Sequence, residues 1–204
     1  MMNRETTLNF TALDFETAND LIPCELGVCV VREGIITETR SWLIKPSCFP
    51  YMNYWNENTH GISTRDLTDA PYFNEAWKEI EPYITDNLLV AHNAAFDVSV
   101  LHYVLNYYGI NSPTADYLCS VKMARRMWPD MASHRLDALC QRFGIIFNHH
   151  RAGADAEACA RITLKIANET QSKIFAQPYQ LTLFQEGLSL KEIARKLKVK
   201  AKKF

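Results

Sequence analysis

Apolar residues recur along this chain with two spacings, and each change of spacing marks a boundary. "TLNFTALDF" (residues 7–15) places apolar side chains close to every second position and predicts a first strand. "ELGVCVVRE" and "GIITETRSWLIKP" predict a second and a third, joined by a tight turn at Glu33-Gly34. An aromatic, polar loop follows, "FPYMNYWNENTHGIS". "APYFNEAWKEIEPYI" then shifts to helical spacing, with Pro71 near its start. "NLLVAH" is wholly apolar and short, as a strand covered on both faces would be. Helices are predicted for "NAAFDVSVLHYVLNYYG", "VKMARRMW", "RLDALCQRFG" and "GADAEACARITLKIANET", with "ADYLCS" as a last short strand.

Three strands followed by alternating strands and helices make an α/β chain with a mixed sheet flanked by helices. The pattern supports one domain over residues 1–170, with residues 171–204 as a linker and a short basic amphipathic extension. Within the extension, "SLKE" at 189–192 has capping-box spacing, and Leu190, Ile193, Ala194 and Leu197 form an apolar stripe.

Charge changes this picture only at the C-terminal end. The formal net charge is -1, but residues 187–204 hold seven Lys/Arg and one Glu, leaving the remainder acidic. A basic tail on an acidic body suits an accessory nucleic-acid or protein contact, or a merely solvated end. "KMARRMW" (Lys122 to Trp128) is a second basic stretch, either a track for a phosphate backbone or a solvated helix face. Six cysteines without a C-x-x-C pair argue for reduced thiols in a cytoplasmic protein. No stretch approaches the roughly 20 apolar residues of a membrane span, so no membrane partner is expected.

Chemistry enters at "LDFETAN". Asp14 and Glu16 lie two apart on a strand, so both carboxylates project from one side of the sheet. Ligands of open α/β sheets sit beyond the carboxyl ends of the strands, where this pair falls. Asp97 follows the short central strand in "AHNAAFD" and reaches the same rim if that strand lies beside the first. Asp155, in "HHRAGADAEA", opens the last long helix. Four acids in one crevice need a compensating cation, and oxygen donors favour Mg²⁺ or Mn²⁺. Two ions serve in-line displacement at a phosphodiester. His150, five residues before Asp155, is placed to act as general base, with His149 as its competitor.

"DFET" (14–17), "HNAAFD" (92–97) and "HHRAGAD" (149–155) resemble the three motifs of the DEDD superfamily of 3'–5' exonucleases, in its histidine branch. The resemblance spans roughly residues 6–168 and is closest to exonuclease domains related to the epsilon proofreading subunit of bacterial DNA polymerase III. It implies a ribonuclease-H-like fold with a five-stranded mixed sheet whose second strand runs antiparallel to the others. By position it implies that Asp14, Glu16, Asp97 and Asp155 hold two Mg²⁺ (or Mn²⁺), with His150 as the base. It further places Phe15, Thr17, the segment His60-Gly61-Ile62, Asn93 and Phe96 against the terminal nucleotide.

The expected activity is release of nucleoside 5'-monophosphates from a 3' end, DNA more than RNA, in proofreading or repair alongside DNA polymerase III components. An exoribonuclease acting on RNA or short oligonucleotides is the alternative, because no catalytic residue distinguishes the sugars. An inactive polymerase- or clamp-binding module is disfavoured by five intact catalytic positions. Sequence-specific DNA binding rests only on the basic tail.

Overall fold

The computed structural model describes residues 8–175 and 189–204. Strands β1 (Phe10–Asn19), β2 (Ile22–Arg32) and β3 (Ile35–Leu43) form an antiparallel meander. Glu33 (φ 51°) and Gly34 (φ 77°) are both left-handed between β2 and β3, as a two-residue primed turn requires. Helices α1 (Tyr54–His60) and α2 (Phe73–Ile84) precede β4 (Leu88–Ala91), which pairs parallel to β1. Helix α3 (Ala95–Tyr107) leads to β5 (Asp116–Cys119), parallel to β4. Then come α4 (Ser120–Met127), α5 (Leu136–Phe143), α6 (Ala152–Phe175), α7 (Leu190–Lys196) and β6 (Lys202–Lys203). The sheet order is β3-β2-β1-β4-β5-β6.

The structure departs from expectation at three places. Residues 54–60, read as loop, are helical because Asn53 caps them, its side-chain oxygen accepting from the amides of Trp55 and Asn56. The sheet has six strands rather than five. The sixth is a two-residue pairing on β5 made of lysines, which carry no strand signal. The last long helix runs to Phe175, and the remainder of the segment expected to be a linker, residues 176–188, lies outside the described residues.

Sheet parity decides where the acids go. Phe10 and Ala12 pack with Cys29 and Val31 against the face covered by α4, α5, α6 and α7. Leu13 and Phe15 pack with Leu26 and Val28 against the face covered by α2 and α3. Asp14 and Glu16 therefore continue the α6-side row at the carboxyl end of β1.

The C-terminal stretch returns to this framework. Ser189 and Glu192 form the expected capping box, and Leu190, Ile193, Ala194 and Val199 are buried in the cluster that contains the α6 core residues. Asp116 on β5 receives both Lys191 and Lys203, the latter at 2.9 Å. Phe204 donates its amide to Ala115 O and stacks on His102 at 4.1 Å. Among the described residues, no helix is long and apolar enough to cross a membrane.

Candidate active site

Three elements deliver four carboxylates to one cleft of about 710 Å³. Asp14 and Glu16 come from β1, Asp97 from the first turn of α3, and Asp155 from the first turn of α6. Carboxylate oxygens of Asp14, Glu16 and Asp155 lie within 4.8 Å of one another. Asp97 is 2% exposed and accepts the Phe15 amide at 3.1 Å, which ties α3 to β1 between the two strand acids.

This convergence depends on Gly27. Gly27 is the β2 partner of Asp14, and a Cβ there would meet the Ala152 carbonyl carbon at 2.0 Å and the Gly153 nitrogen at 2.2 Å. The start of α6 thus rests directly on the sheet backbone, and Asp155 reaches Asp14 because no side chain intervenes. Two positions along, Glu25 faces Glu16 across the ladder. Glu25 is 1% exposed and accepts from Arg151 at 3.1 Å and from the Ala152 amide at 3.0 Å, locking the same helix end.

The four cleft acids are electrostatically frustrated. Burial, then Asp97, Asp155 and Glu16, hold Asp14 well above the ordinary carboxylate range. Burial and its acidic neighbours push Glu16 up to about 8, and burial raises Asp97 to about 7. Asp155 is also raised by burial, against the opposing pull of His149. An all-oxygen donor set with surplus negative charge fits hard divalent cations, and it is poorly suited to soft ones.

The two histidines play unequal parts. His149 donates from Nδ1 to Asp155 Oδ1 at 3.0 Å, and the His150 amide donates to Oδ2 at 3.0 Å. The rings stack at 3.8 Å. His150 has a left-handed backbone (φ 66°), which costs a non-glycine residue about 1–3 kcal/mol. Burial and then His149 lower its pKa, favouring the neutral imidazole. Among the described residues its ring nitrogens make no hydrogen bond, whereas His149 Nδ1 is engaged.

The RNase_T family of exonucleases matches residues 11–163, three quarters of the chain. The chain belongs to this exonuclease family. Among its relatives, a PolC-type DNA polymerase III from Bacillus cereus is 34% identical over 122 residues, covering 59% of this chain and 8% of the polymerase. The epsilon subunit of DNA polymerase III from Buchnera aphidicola is 33% identical over 139 residues, covering 64% of this chain and 56% of that subunit. The exonuclease thus spans only part of the curated relatives it matches. The fold is that of Exonuclease X in complex with 5' overhanging duplex DNA (TM-score 0.65, 24% identity, 78% of this chain and 92% of that one). It is also that of the nuclease domain of 3'hExo, a DEDDh family member, bound to rAMP (TM-score 0.69, 13% identity, 83% and 95%). Family and fold agree: the chain is a member of the RNase_T exonuclease family with a ribonuclease-H-like architecture.

The remaining residues singled out in the sequence divide into two groups. Phe15, Asn93 and Phe96 line the exonuclease cleft. Asn93 is exposed with φ 76°, and its side chain does not cap α3. Thr17, His60, Gly61 and Ile62 are not among the residues lining this cleft; Thr17, His60 and Ile62 are buried and Gly61 is exposed. His60 Nδ1 accepts the Ile62 amide at 3.0 Å, so Nε2 carries the proton and donates to Thr17 O at 3.2 Å. One ring nitrogen thus fixes the turn at Ile62 and the other braces β1. His92 likewise braces, bonding Ser120 Oγ at 2.8 Å and donating to His134 O at 2.9 Å, with its pKa pushed down to about 4 by burial. Sequence reasoning passed over Glu25, Gly27 and Arg151. The signal for Glu25 was present, a lone acid inside the apolar run "PCELGVCVV".

Proposed function

We propose that this chain is a two-metal 3'–5' exonuclease that releases nucleoside 5'-monophosphates from DNA 3' ends. The observation that carries the reading is the meeting of Asp14, Glu16 and Asp155 within 4.8 Å, with Asp97 in the same cleft and, among the described residues, no lysine or arginine ion-paired to any of the four. Arg151, whose charge opposes the upward shift of Glu16, is itself ion-paired to Glu25. Asp14, Glu16, Asp97 and Asp155 hold two Mg²⁺ or Mn²⁺ in this reading. When bound, such ions neutralise charge on the phosphoryl oxygens and acidify water.

The chain's own residues do the rest. His150, neutral and with free ring nitrogens, accepts the proton of the attacking water. His149 orients Asp155 and, by stacking, the ring of His150. Phe96 and Asn93 meet the terminal nucleoside from one wall, and the Phe15 backbone is fixed by Asp97. His60 braces Thr17 on β1, and the exposed Gly61 leaves the segment 60–62 open to contact with the terminal nucleotide. Similarity to polymerase III exonuclease regions at 33–34% identity supports DNA as substrate and a polymerase III component as partner, in the cytoplasm.

The test is degradation of a 5'-labelled oligodeoxynucleotide with Mg²⁺, with EDTA, and by Asp14→Ala. Stepwise loss of mononucleotides from the 3' end with Mg²⁺ alone is expected; hydrolysis indifferent to EDTA and to Asp14→Ala overturns the mechanism. Matched DNA and RNA oligomers then decide the sugar, since reading a 2'-hydroxyl is the work of the pocket and not of the carboxylates.

A further inference from the structure

Beside the cleft lies a second groove of about 450 Å³, formed by α4 and residues 198–202 of the C-terminal stretch. Its lining is basic: Lys122, Arg125 and Arg126 from α4, and Lys198, Lys200 and Lys202 opposite. Both sets follow the periodicity of their backbone. Spacing i, i+3, i+4 puts the α4 cations on one helix face, Lys200 and Lys202 alternate onto one side of the segment that follows the turn, and Lys198 joins them from the turn itself. All six are exposed, and among the described residues none is within salt-bridge distance of a carboxylate.

The contrast with neighbouring lysines is informative. Lys191 and Lys203 are both consumed by Asp116 and pin the tail to β5. Between them the chain turns through a helix-ending motif in which the Lys198 amide bonds Arg195 O and the Val199 amide bonds Ala194 O. Lys198 takes the left-handed conformation there (φ 56°), a position that favours glycine. Val199 is buried, which turns its lysine neighbours outward toward α4. The fold thus brings together like charges that repel one another and, among the described residues, places no carboxylate in ion-pair contact with them. Arg125 lines both this groove and the catalytic cleft, so the two are continuous.

We propose that this groove binds the sugar–phosphate backbone of the strand being degraded, several nucleotides upstream of its 3' end. The proposal rests on the exonuclease reading for the direction of the strand, though not for the existence of the site. A row of separated, fully charged donors that follows a surface and continues into a phosphodiester cleft matches a polyanionic single strand, whose affinity comes from counterion release. Aromatic stacking has no part in it, so binding there is indifferent to base sequence.

The experiment compares the full chain with the triple variant Lys198→Ala/Lys200→Ala/Lys202→Ala and with the corresponding triple Lys→Arg variant. Fluorescence anisotropy of labelled dT20 in EDTA reads binding without hydrolysis, so failure of the groove and failure of the exonuclease reading remain separable. The alanine variant is expected to bind dT20 roughly tenfold or more weakly, with a salt slope shallower by about 2, from about 0.7 per lost contact on a single strand. The arginine variant keeps both. With Mg²⁺, KM rises for dT20 while kcat on a trinucleotide stays within about twofold. An unchanged affinity and salt slope in a folded alanine variant overturns the proposal. So does an alanine variant that loses binding to poly-glutamate of equal length while keeping its affinity for dT20, which assigns the groove to an acidic protein.

Discussion

Glu16 and Glu25 face each other across the same rung of the β1–β2 ladder, yet they live in opposite electrostatic worlds. Glu25 is sealed from water and fully answered by Arg151 and the Ala152 amide. Glu16 is half-buried, opens into the cleft, and is pushed up to about 8 by burial and by the acids around it. The protein has neutralised the acid that holds α6 in place and left unneutralised the acid that faces its ligand. Where a fold leaves charge uncompensated in a cleft, something from outside is expected to complete it.

The sharpest way to break this contrast is to remove each charge in turn. Glu16→Gln is expected to lower turnover by roughly 10⁴-fold, since residues of one catalytic unit fail together, with little loss of thermal stability. His150→Ala should cost about 10²–10⁴-fold in kcat, the usual worth of a general base. His149→Ala should cost less; if His149→Ala were the more damaging, the base would be misassigned. Both are read by single-turnover cleavage of a short oligomer.

Stability effects come next. Gly27→Ala drives a methyl into the Ala152 carbonyl and should destabilise by about 3 kcal/mol, at the upper end for overpacking, because backbone has no rotamer to escape into. Glu25→Gln weakens charge-assisted bonds to Arg151 and Ala152, and about 2 kcal/mol of loss in urea unfolding is expected. The unequal stability costs at Glu16 and Glu25 are the core of the comparison; equal destabilisation by both substitutions would erase it.

The smallest effect is a pH dependence of the metal-free protein. Asp14, Glu16, Asp97 and Asp155 have raised folded-state pKa values, so their contribution is complete below the unfolded value near 4. It is lost as pH rises through the folded values, about 7 for Asp97 and about 8 for Glu16. His60, His92 and His150 are lowered and act in the opposite direction only below about 6.5, where unfolded histidine titrates. Tm in EDTA should therefore fall by a few degrees, on the order of 1 kcal/mol, between pH 6.5 and 8.5. Mg²⁺ should reverse the trend, and Glu16→Gln should flatten it; a Tm that climbs over that interval without metal contradicts the charge assignment.

The acids of the cleft were legible in the sequence because period-two alternation and helix starts are local signals. Asp14 and Glu16 share a face by strand geometry alone, and Asp155 falls in a first helical turn by spacing. What holds them together was not legible. Glu25 and Arg151 are 126 residues apart, and Gly27 looks like any strand glycine until α6 is seen resting on it. The tail's return to β5 was hidden for a related reason: lysines read as solvent-facing, while the contacts that dock the segment are scattered among Leu190, Ile193, Val199 and Asp116.

The glycine under α6 has one more implication, for strand pairing. Sliding β2 by a single residue against β1 would bring Leu26 or Val28 opposite Asp14 and would turn the apolar row of β2 toward the wrong layer. A mispaired hairpin would present a branched side chain where α6 must settle. Docking of α6 therefore audits an alignment made more than a hundred residues earlier, and only molecules that pass assemble a working centre.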